Sequence, residues 1–212
     1  AQAIWGHVCV RAWPSIIPMP VPEVQGQAEE TSNARERESF EAFKVLQQML
    51  KLNISAIEPL SDGPAEILPH LLLGSGNDAR DVANLKRLGV THVMNCAADR
   101  VRTGAELYRP QQIAYQEFVA QDSADYNIMQ HYDQMSSFCD NALSSGGRLF
   151  IHCEAGVNRS GTLCLAYHIK STGTPMLTSA EQCKHARGRI CTNQAFQVQL
   201  CKFVYEQGLP FR

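Results

Sequence analysis

The segment 152–160 combines a nucleophile with a permanent cation, since it reads HCEAGVNRS and has five residues between Cys153 and Arg159. An apolar run at 149–151 precedes it and a largely apolar run at 162–169 follows it. This pattern predicts a buried strand, a tight loop and a helix. Because free N–H groups at a helix N-terminus bind anions, the sequence predicts an anion-binding loop with a reactive cysteine rather than a cysteine that is merely buried.

The chemistry that suits this loop is attack of a thiolate on phosphorus. Helix N-termini and nearby cations favour the thiolate over the thiol, which makes Cys153 the expected nucleophile. The hydroxyl of Ser160 would lie beside the sulfur and help the thiolate to leave in a second step, and His152 would orient the loop by hydrogen bonding. Backbone N–H groups and one guanidinium would bind the phosphate oxygens; the residues expected to supply them are Glu154, Ala155, Gly156, Val157, Asn158 and Arg159.

The loop and three other segments resemble one known family. HCEAGVNRSG followed by TLCLAY, at 152–167, is similar to the signature of the dual-specificity protein phosphatases, within the cysteine-based protein tyrosine phosphatase superfamily. Segment 66–75 resembles the opening strand pair of that family, 119–125 its general-acid loop and 186–200 its C-terminal loop and helix. The resemblance covers residues 65–212 and departs from the family pattern at Thr192, where proline is usual. It implies a phosphocysteine intermediate, without a metal or other cofactor.

Cleavage of a phosphate ester also requires an acid, because protonating the leaving oxygen accelerates such a step by about 10²–10⁴-fold. Asp122 follows a strand-like run and matches the acid of the family by position, whereas Asp125 in the same loop is the alternative. After the first step the same carboxylate would act as the base toward water. Asn193 has two interpretations, since it either caps the helix at 194–207 or steadies the phosphate loop or the acid loop through its amide.

Cys96 raises a regulatory hypothesis that also comes from the resemblance. It ends the predicted strand at 90–96, and in a parallel sheet this end lies near the loop of Cys153. Some members of the superfamily protect the nucleophile by a disulfide with a cysteine in a comparable place, and reactive, accessible thiols are the ones that oxidise. The alternative interpretation of Cys96 is an ordinary buried cysteine.

The elements around the loop predict an α/β domain with a central, largely parallel sheet flanked by helices. Helices are predicted at 77–88, 128–143 and 194–207, strands at 90–96, 112–118 and 148–151, and a polar loop at 97–111. The residues from Thr178 to Glu181 have the pattern of a capping box and predict the start of a further helix. In open α/β sheets the active site lies at the carboxyl ends of the strands, which is where the loop at 152–160 falls.

Residues 1–64 are predicted to form an N-terminal extension to a catalytic domain at 65–212. Four prolines between positions 14 and 22 predict an extended arm to residue 27, in which Trp5 and Trp13 are candidate anchors for a groove. An amphipathic helix is predicted at 28–52, and its apolar face consists of Phe40, Phe43, Leu46 and Leu50. This helix packs on the catalytic domain, docks a substrate protein or a second copy of the chain, or belongs to a mobile linker.

Composition restricts the class of protein. The chain of 212 residues has a net charge of −2 and a pI of about 6.4, so no general attraction to nucleic acid or to an acidic membrane is expected. It has no run of 18 apolar residues that would span a membrane, and its eight cysteines lack metal-binding spacing. Because a catalytic thiol requires a reducing compartment, we expect the protein in the cytoplasm, with the nucleus as a second location.

The expected function is that of a cysteine-dependent protein phosphatase acting on phosphotyrosine and on phosphoserine or phosphothreonine. Superfamily members that take inositol phospholipids tend to carry lysines in the loop, so Glu154 argues against that substrate. The lack of a basic face argues against the 5′-phosphates of RNA, and both substrates stay alternatives. A domain smaller than that of tyrosine-specific relatives implies a shallow pocket that admits both kinds of phosphoresidue. A phosphopeptide-binding module or a scaffold is the alternative from a different class.

Overall fold

The computed structural model describes residues 24–51 and 60–212, with side chains from residue 34 onward, so Trp5 and Trp13 of the predicted arm lie outside it. The strands in these residues are β1 (Ala65–Leu68), β2 (Leu71–Gly74), β3 (Val90–Asn95), β4 (Ala114–Glu117) and β5 (Arg148–His152). The α-helices are α1 (Val24–Leu50), α2 (Gly76–Arg80), α3 (Val82–Arg87), α4 (Gly104–Tyr108), α5 (Tyr132–Ser144), α6 (Arg159–Thr172), α7 (Met176–Arg187) and α8 (Gln194–Glu206).

The five strands form one sheet in the order β1-β2-β5-β3-β4. β1 pairs antiparallel with β2, and the other three pairs are parallel. β5 therefore lies at the centre of the sheet, and every residue in it after Arg148 is buried. This arrangement confirms the predicted α/β fold with a largely parallel sheet, and it places the 153–158 loop at the carboxyl end of the central strand.

Alternation of side chains along the central strands divides the core into two clusters. Leu149 and Ile151 belong to the larger cluster, which includes residues of α1, α5, α6, α7 and α8. Phe150 belongs to the smaller cluster on the other face, together with Leu85 of α3 and Tyr108 of α4. Within the described part of the chain, no helix has the length and apolar character needed to cross a membrane.

Two predicted elements between residues 77 and 111 differ from the structure. The helix predicted at 77–88 is divided into α2 and α3 at Asp81, whose side chain caps α3 by accepting a hydrogen bond of 3.0 Å from the N–H of Asn84. The loop predicted at 97–111 contains the short helix α4. This helix is held in place by Tyr108, which is fully buried and donates a hydrogen bond to the carbonyl of Ala79.

The prediction that a capping box at Thr178 starts a helix is wrong. Helix α7 begins two residues earlier, at Met176, and follows Pro175, which has no side chain that can cap it. Ser179, which the predicted box places in the first turn, is fully buried and donates to the carbonyl of Thr174. Proline before the first helical residue therefore determines where α7 begins.

Helix α1 packs against α7 and α8. Its buried side chains recur along one face, and they are Ala42, Leu46 and Leu50. Phe43 is half buried beside them, but Phe40, which was predicted to share their face, is 58% exposed because it lies on the flank of the helix. Nearer its N-terminus, Arg35 donates a hydrogen bond of 2.9 Å to the carbonyl of Leu209, just after α8. Helix α1 therefore contributes apolar side chains to the larger core cluster.

Candidate active site

The loop at 153–158 connects β5 to α6, and it begins with the predicted nucleophile. Cys153 is only 2% exposed, and its Sγ accepts a hydrogen bond of 3.2 Å from the Oγ of Ser160. Ser160 lies in the first turn of α6, a helix of 14 residues, so the sulfur lies at a helix N-terminus, which stabilises negative charge. The hydroxyl of Ser160 is therefore beside the sulfur, and its role in catalysis stays a prediction.

The backbone of the loop is held from behind by Arg187 of α7, which is 1% exposed. The Nε of Arg187 donates to the carbonyl of Gly156 at 3.2 Å, and its Nη2 donates to the carbonyl of Ala155 at 3.0 Å. Its Nη1 reaches the opposite way, to Ser61 and Gly63. Because the C=O and N–H groups of a trans peptide point in opposite directions, carbonyls drawn toward Arg187 turn the N–H groups of the same peptide units toward the inside of the loop.

Arg187 is absent from the predicted site, although the sequence carries a signal for it. Ala180, Cys183 and Arg187 are buried at the spacing i, i+3 and i+7 along α7. The arginine therefore lies on the apolar face of its helix, where an unpaired charge would be costly. A cation at such a position indicates a buried partner, but the sequence does not say that the partner is a loop about 30 residues earlier.

Gly156 allows the loop to pack tightly against the end of β2. Its φ angle is +66°, and a Cβ atom at this position would lie 2.2 Å from the carbonyl oxygen of Gly74. The N–H of Gly76 donates a hydrogen bond of 2.9 Å to the carbonyl of Glu154, next to this contact. Only glycine has both the required backbone conformation and the required size here.

Arg159 lies almost entirely inside the protein, with 6% exposure. Its Nη1 donates to the carbonyl of Ala120 at 3.2 Å, and its Nη2 donates to Oε2 of Glu154 at 3.3 Å. Its Nε has no hydrogen-bond partner among the described residues. The guanidinium is therefore oriented by a backbone carbonyl of the acid loop and by an exposed carboxylate, while it keeps N–H donors for an anion.

Asp122 is the aspartate that the structure joins to the phosphate loop. Its Oδ2 accepts a hydrogen bond of 2.9 Å from the Nδ2 of Asn158, and its Oδ1 accepts one of 2.9 Å from the Nδ2 of Asn193. Asp125 lies in the same loop and is also exposed. The contacts of Asp122 favour it over Asp125 as the acid, since they hold its carboxylate against the loop that contains the nucleophile.

Asn193 makes both kinds of contact that its sequence position allows, since it caps α8 and also contacts the acid loop. Its Oδ1 accepts hydrogen bonds from the N–H groups of Ala195 at 3.0 Å and Phe196 at 3.4 Å, which caps α8. Its Nδ2 donates to Asp122. Asn158 likewise directs its side chain toward the acid loop, so only its backbone is available to a phosphate in the loop.

His152 and Cys96 lie behind the nucleophile and are fully buried. The Nδ1 of His152 is 3.2 Å from the carbonyl oxygen of Cys153, and burial lowers the pKa of His152 to about 4. The backbone N–H of Cys96 donates a hydrogen bond of 2.8 Å to the carbonyl of His152. Burial raises the pKa of the Cys96 thiol, and this thiol and that of Cys153 are both free. A disulfide between them stays a prediction.

These residues, their strand–loop–helix context and the fold agree with one known family. The family profile described as "Dual specificity phosphatase, catalytic domain" matches residues 71–206. The chain therefore belongs to the dual specificity phosphatase family.

Individual relatives agree with this assignment. The chain is 36% identical to mouse dual specificity protein phosphatase 2 over 138 residues, and this match covers 65% of the chain and 42% of the relative. It is 37% identical over 138 residues to human dual specificity protein phosphatase 13B, covering 64% of this chain and 69% of the relative. The crystal structure of human DUSP28 superimposes with a TM-score of 0.61 at 26% identity, covering 71% of this chain and 97% of that one. The chain thus spans less than half of the length of the mouse relative.

Proposed function

We propose that this chain is a cysteine-dependent protein phosphatase that hydrolyses phosphotyrosine and phosphoserine or phosphothreonine through a phosphocysteine intermediate. The observation that carries the proposal is the arrangement of three groups around one loop. Cys153 lies at the N-terminus of α6 beside Ser160. Arg159, the first residue of α6, has an Nε donor without a partner among the described residues, and Asp122 is held against the loop by Asn158. A nucleophile, an anion site and an acid are the three functions that hydrolysis of a phosphate ester requires.

The first step forms the covalent intermediate. The thiolate of Cys153 attacks phosphorus, the S–P bond forms, and the P–O bond to the leaving group breaks. Asp122 transfers its proton to the leaving oxygen, so that an alcohol or phenol departs and the carboxylate remains. The N–H groups of the loop and the guanidinium of Arg159 bind the charge that develops on the other phosphate oxygens.

The second step restores the enzyme. The Asp122 carboxylate removes a proton from water while the water oxygen attacks phosphorus, and the P–S bond breaks. Cys153 departs as a thiolate, which the Ser160 hydroxyl stabilises through the hydrogen bond that it already donates to the sulfur. Since the thiolate must stay reduced, the reducing environment of the cytoplasm or the nucleus suits this chemistry.

Phosphate release from a panel of substrates tests the proposal. The panel contains a phosphotyrosine peptide, a phosphothreonine peptide, a doubly phosphorylated peptide, an inositol phospholipid and a 5′-triphosphorylated RNA. Cys153→Ser protein is the blank, and Cys183→Ser, which removes a buried thiol from α7, is the matched control. We expect release from both kinds of peptide by the wild type and by Cys183→Ser, and none by Cys153→Ser.

The other outcomes of the panel distinguish the alternatives. Release from the lipid or the RNA alone would keep the mechanism and replace the substrate class. Tight binding of phosphopeptides without release would instead indicate a phosphopeptide-binding module or a scaffold.

A further inference from the structure

Three hydrogen-bond donors converge on the side-chain oxygen of Asn158. Its Oδ1 accepts hydrogen bonds from the N–H of Thr192 at 2.8 Å, from the Oγ1 of Thr192 at 3.0 Å, and from the N–H of Asn193 at 3.0 Å. On the other side of the amide, its Nδ2 donates to Oδ2 of Asp122 at 2.9 Å. Thr192, a half-buried residue just before α8, thus provides two of the three donors.

These donors determine the orientation of the Asn158 amide. Rotating the amide by half a turn would direct its NH₂ group at the N–H groups of Thr192 and Asn193 and its oxygen at the Asp122 carboxylate, so three favourable contacts would become repulsive. The Thr192 hydroxyl can accept as well as donate, and in the observed orientation it adds a third donor to the Asn158 oxygen. The amide therefore has one orientation that satisfies all of its neighbours. In that orientation its NH₂ group points at Asp122.

The acid depends on this orientation because, among the described residues, its side chain has hydrogen bonds only from Asn158 and Asn193. Asp122 is exposed, and holding an exposed side chain in one rotamer costs conformational entropy. The two asparagine amides offset that cost, one at each carboxylate oxygen. A change that releases the Asn158 amide therefore removes one of the two anchors of the carboxylate.

The residue type at position 192 decides whether the amide is held in this way. Proline at this position would have neither an N–H group nor a hydroxyl. With proline, the Asn158 oxygen would keep only the N–H of Asn193. Thr192 supplies both of the donors that proline lacks, so the residue type at this position sets how many hydrogen bonds hold the Asn158 amide.

We propose that Thr192 is a positioning residue for proton transfer: by orienting the Asn158 amide, it holds the Asp122 carboxyl at the leaving oxygen. This inference rests on the proposed function, in which the proton of Asp122 moves to the leaving oxygen as the S–P bond forms and the P–O bond breaks. A misplaced carboxyl slows that proton transfer without affecting phosphate binding or the nucleophile. The effect on kcat/KM, which reports the steps up to departure of the leaving group, is therefore confined to substrates whose leaving group must be protonated.

Two substrates with different leaving groups test the proposal. Nitrophenolate is stable enough to leave p-nitrophenyl phosphate without a proton, whereas the alkoxide of phosphothreonine is not. Thr192→Val keeps the N–H group and the side-chain shape but removes the hydroxyl donor. We expect this change to lower kcat/KM toward a phosphothreonine peptide by about fivefold, the value of one hydrogen bond, and to leave kcat/KM toward p-nitrophenyl phosphate unchanged. Thr192→Ser keeps both donors and should match the wild type on both substrates.

A double-mutant cycle tests whether Thr192 acts through Asn158. Once Asn158→Ala has removed the amide, Thr192→Val should cause no further loss with either substrate. An equal loss on both substrates, or a loss that persists in the Asn158→Ala background, would overturn the proposal, because the effect would then lie outside the contact between Asn158 and Asp122.

Failure of the proposed function itself would be recognised separately. In that case the wild type would release no phosphate, or Cys153→Ser would release it at the wild-type rate. Either result would overturn both proposals, whereas a Thr192→Val variant identical to the wild type on both substrates would overturn the inference about Thr192 alone.

Discussion

The phosphate site, formed by the loop at 153–158 and the first turn of α6, and the acid loop at 119–125 are held in place in different ways. The nucleophile and the two arginines of the phosphate site are buried, since Cys153, Arg159 and the supporting Arg187 are each less than 7% exposed. The carboxylate of Asp122 is exposed and depends on hydrogen bonds from two asparagine amides. The difference suggests that the anion site is formed permanently by the fold, whereas the acid is positioned by surface contacts. Changes to the first should lower kcat/KM toward every substrate, whereas changes to the second should lower kcat/KM only toward substrates with poor leaving groups.

The largest effect should come from Gly156→Ala. The added Cβ meets backbone 2.2 Å away and the φ angle is +66°, so the loop must change shape, and phosphate release from every substrate should fall by at least about 10³-fold. Gly146→Ala is the matched control, because its φ is +71° but nothing lies within 4 Å of the added Cβ. Equal activity losses in the two variants would mean that backbone strain, rather than the contact with Gly74, causes the effect.

Asp122→Asn should have the next largest effect, and a selective one. Loss of the acid should lower kcat/KM toward a phosphothreonine peptide by about 10²–10⁴-fold, while p-nitrophenyl phosphate, with its better leaving group, should lose much less. Asp125→Asn changes an exposed aspartate of the same loop and should retain the wild-type values. If Asp125→Asn shows the selective loss instead, Asp125 is the acid.

Arg187→Ala should weaken both the loop and the fold. It leaves the carbonyls of Ala155 and Gly156 without their buried donor, which should lower the free energy of unfolding by about 3 kcal/mol and reduce activity on both kinds of substrate by a similar factor. Urea denaturation and the two-substrate assay measure these quantities. Arg100→Ala removes an exposed arginine and serves as the control, and a loss restricted to phosphothreonine would contradict a role in the phosphate loop.

The burial of His152 predicts a pH dependence of stability. The unfolded chain takes up a proton near the ordinary histidine pKa of about 6.5, whereas folding lowers the pKa of His152 to about 4. Unfolding therefore takes up a proton between these values, and the free energy of unfolding should fall by about 2 kcal/mol from pH 7 to pH 5 on account of this residue. Urea denaturation of His152→Gln at both pH values should show a smaller difference than the wild type, while His185→Gln, at an exposed position, should show the wild-type difference.

Asn193→Asp should have a smaller effect than the changes above, and it separates the two roles of the residue. Aspartate caps helices about as well as asparagine, so the free energy of unfolding should stay nearly constant. The new carboxylate lacks the Nδ2 donor and repels Asp122, so kcat/KM toward phosphothreonine should fall about tenfold, as expected for loss of one charge-assisted hydrogen bond. Asn193→Ala, in contrast, should lower both stability and activity. Unchanged activity in Asn193→Asp would mean that the contact with Asp122 is unimportant.

The sequence predicts the phosphate loop well because its determinants are local. The strand, the glycine, the nucleophile and the helix all lie within 148–172, and the order of these residues defines the loop. The parts that could not be predicted depend on contacts between distant segments. Thr192 contacts Asn158 across 34 residues and Arg187 contacts Gly156 across 31, and no local pattern specifies either pairing.

The errors in the predicted elements have a different origin. Each of them arises at a single residue that changes where a helix begins or which of its sides is buried. Asp81 interrupts an apparently continuous helical pattern by capping a new helix, and Pro175 moves the start of α7 away from a plausible capping box. Phe40 lies outside the buried face of α1. The prediction included it because the sequence shows a broad apolar stripe on this helix but does not show which side of the stripe meets the core.

The central place of β5 has a consequence for how the protein is made. β5 comes last along the chain among the five described strands of the sheet, yet it pairs with β2 on one side and β3 on the other. Until residue 152 has left the ribosome, the central strand of the sheet is missing. The edges of β2 and β3 that will pair with it then expose backbone groups that readily pair with other chains. A transcript interrupted upstream of this strand would thus yield an aggregation-prone fragment rather than a smaller folded protein, which ties the assembly of the sheet to the arrival of the strand that precedes Cys153.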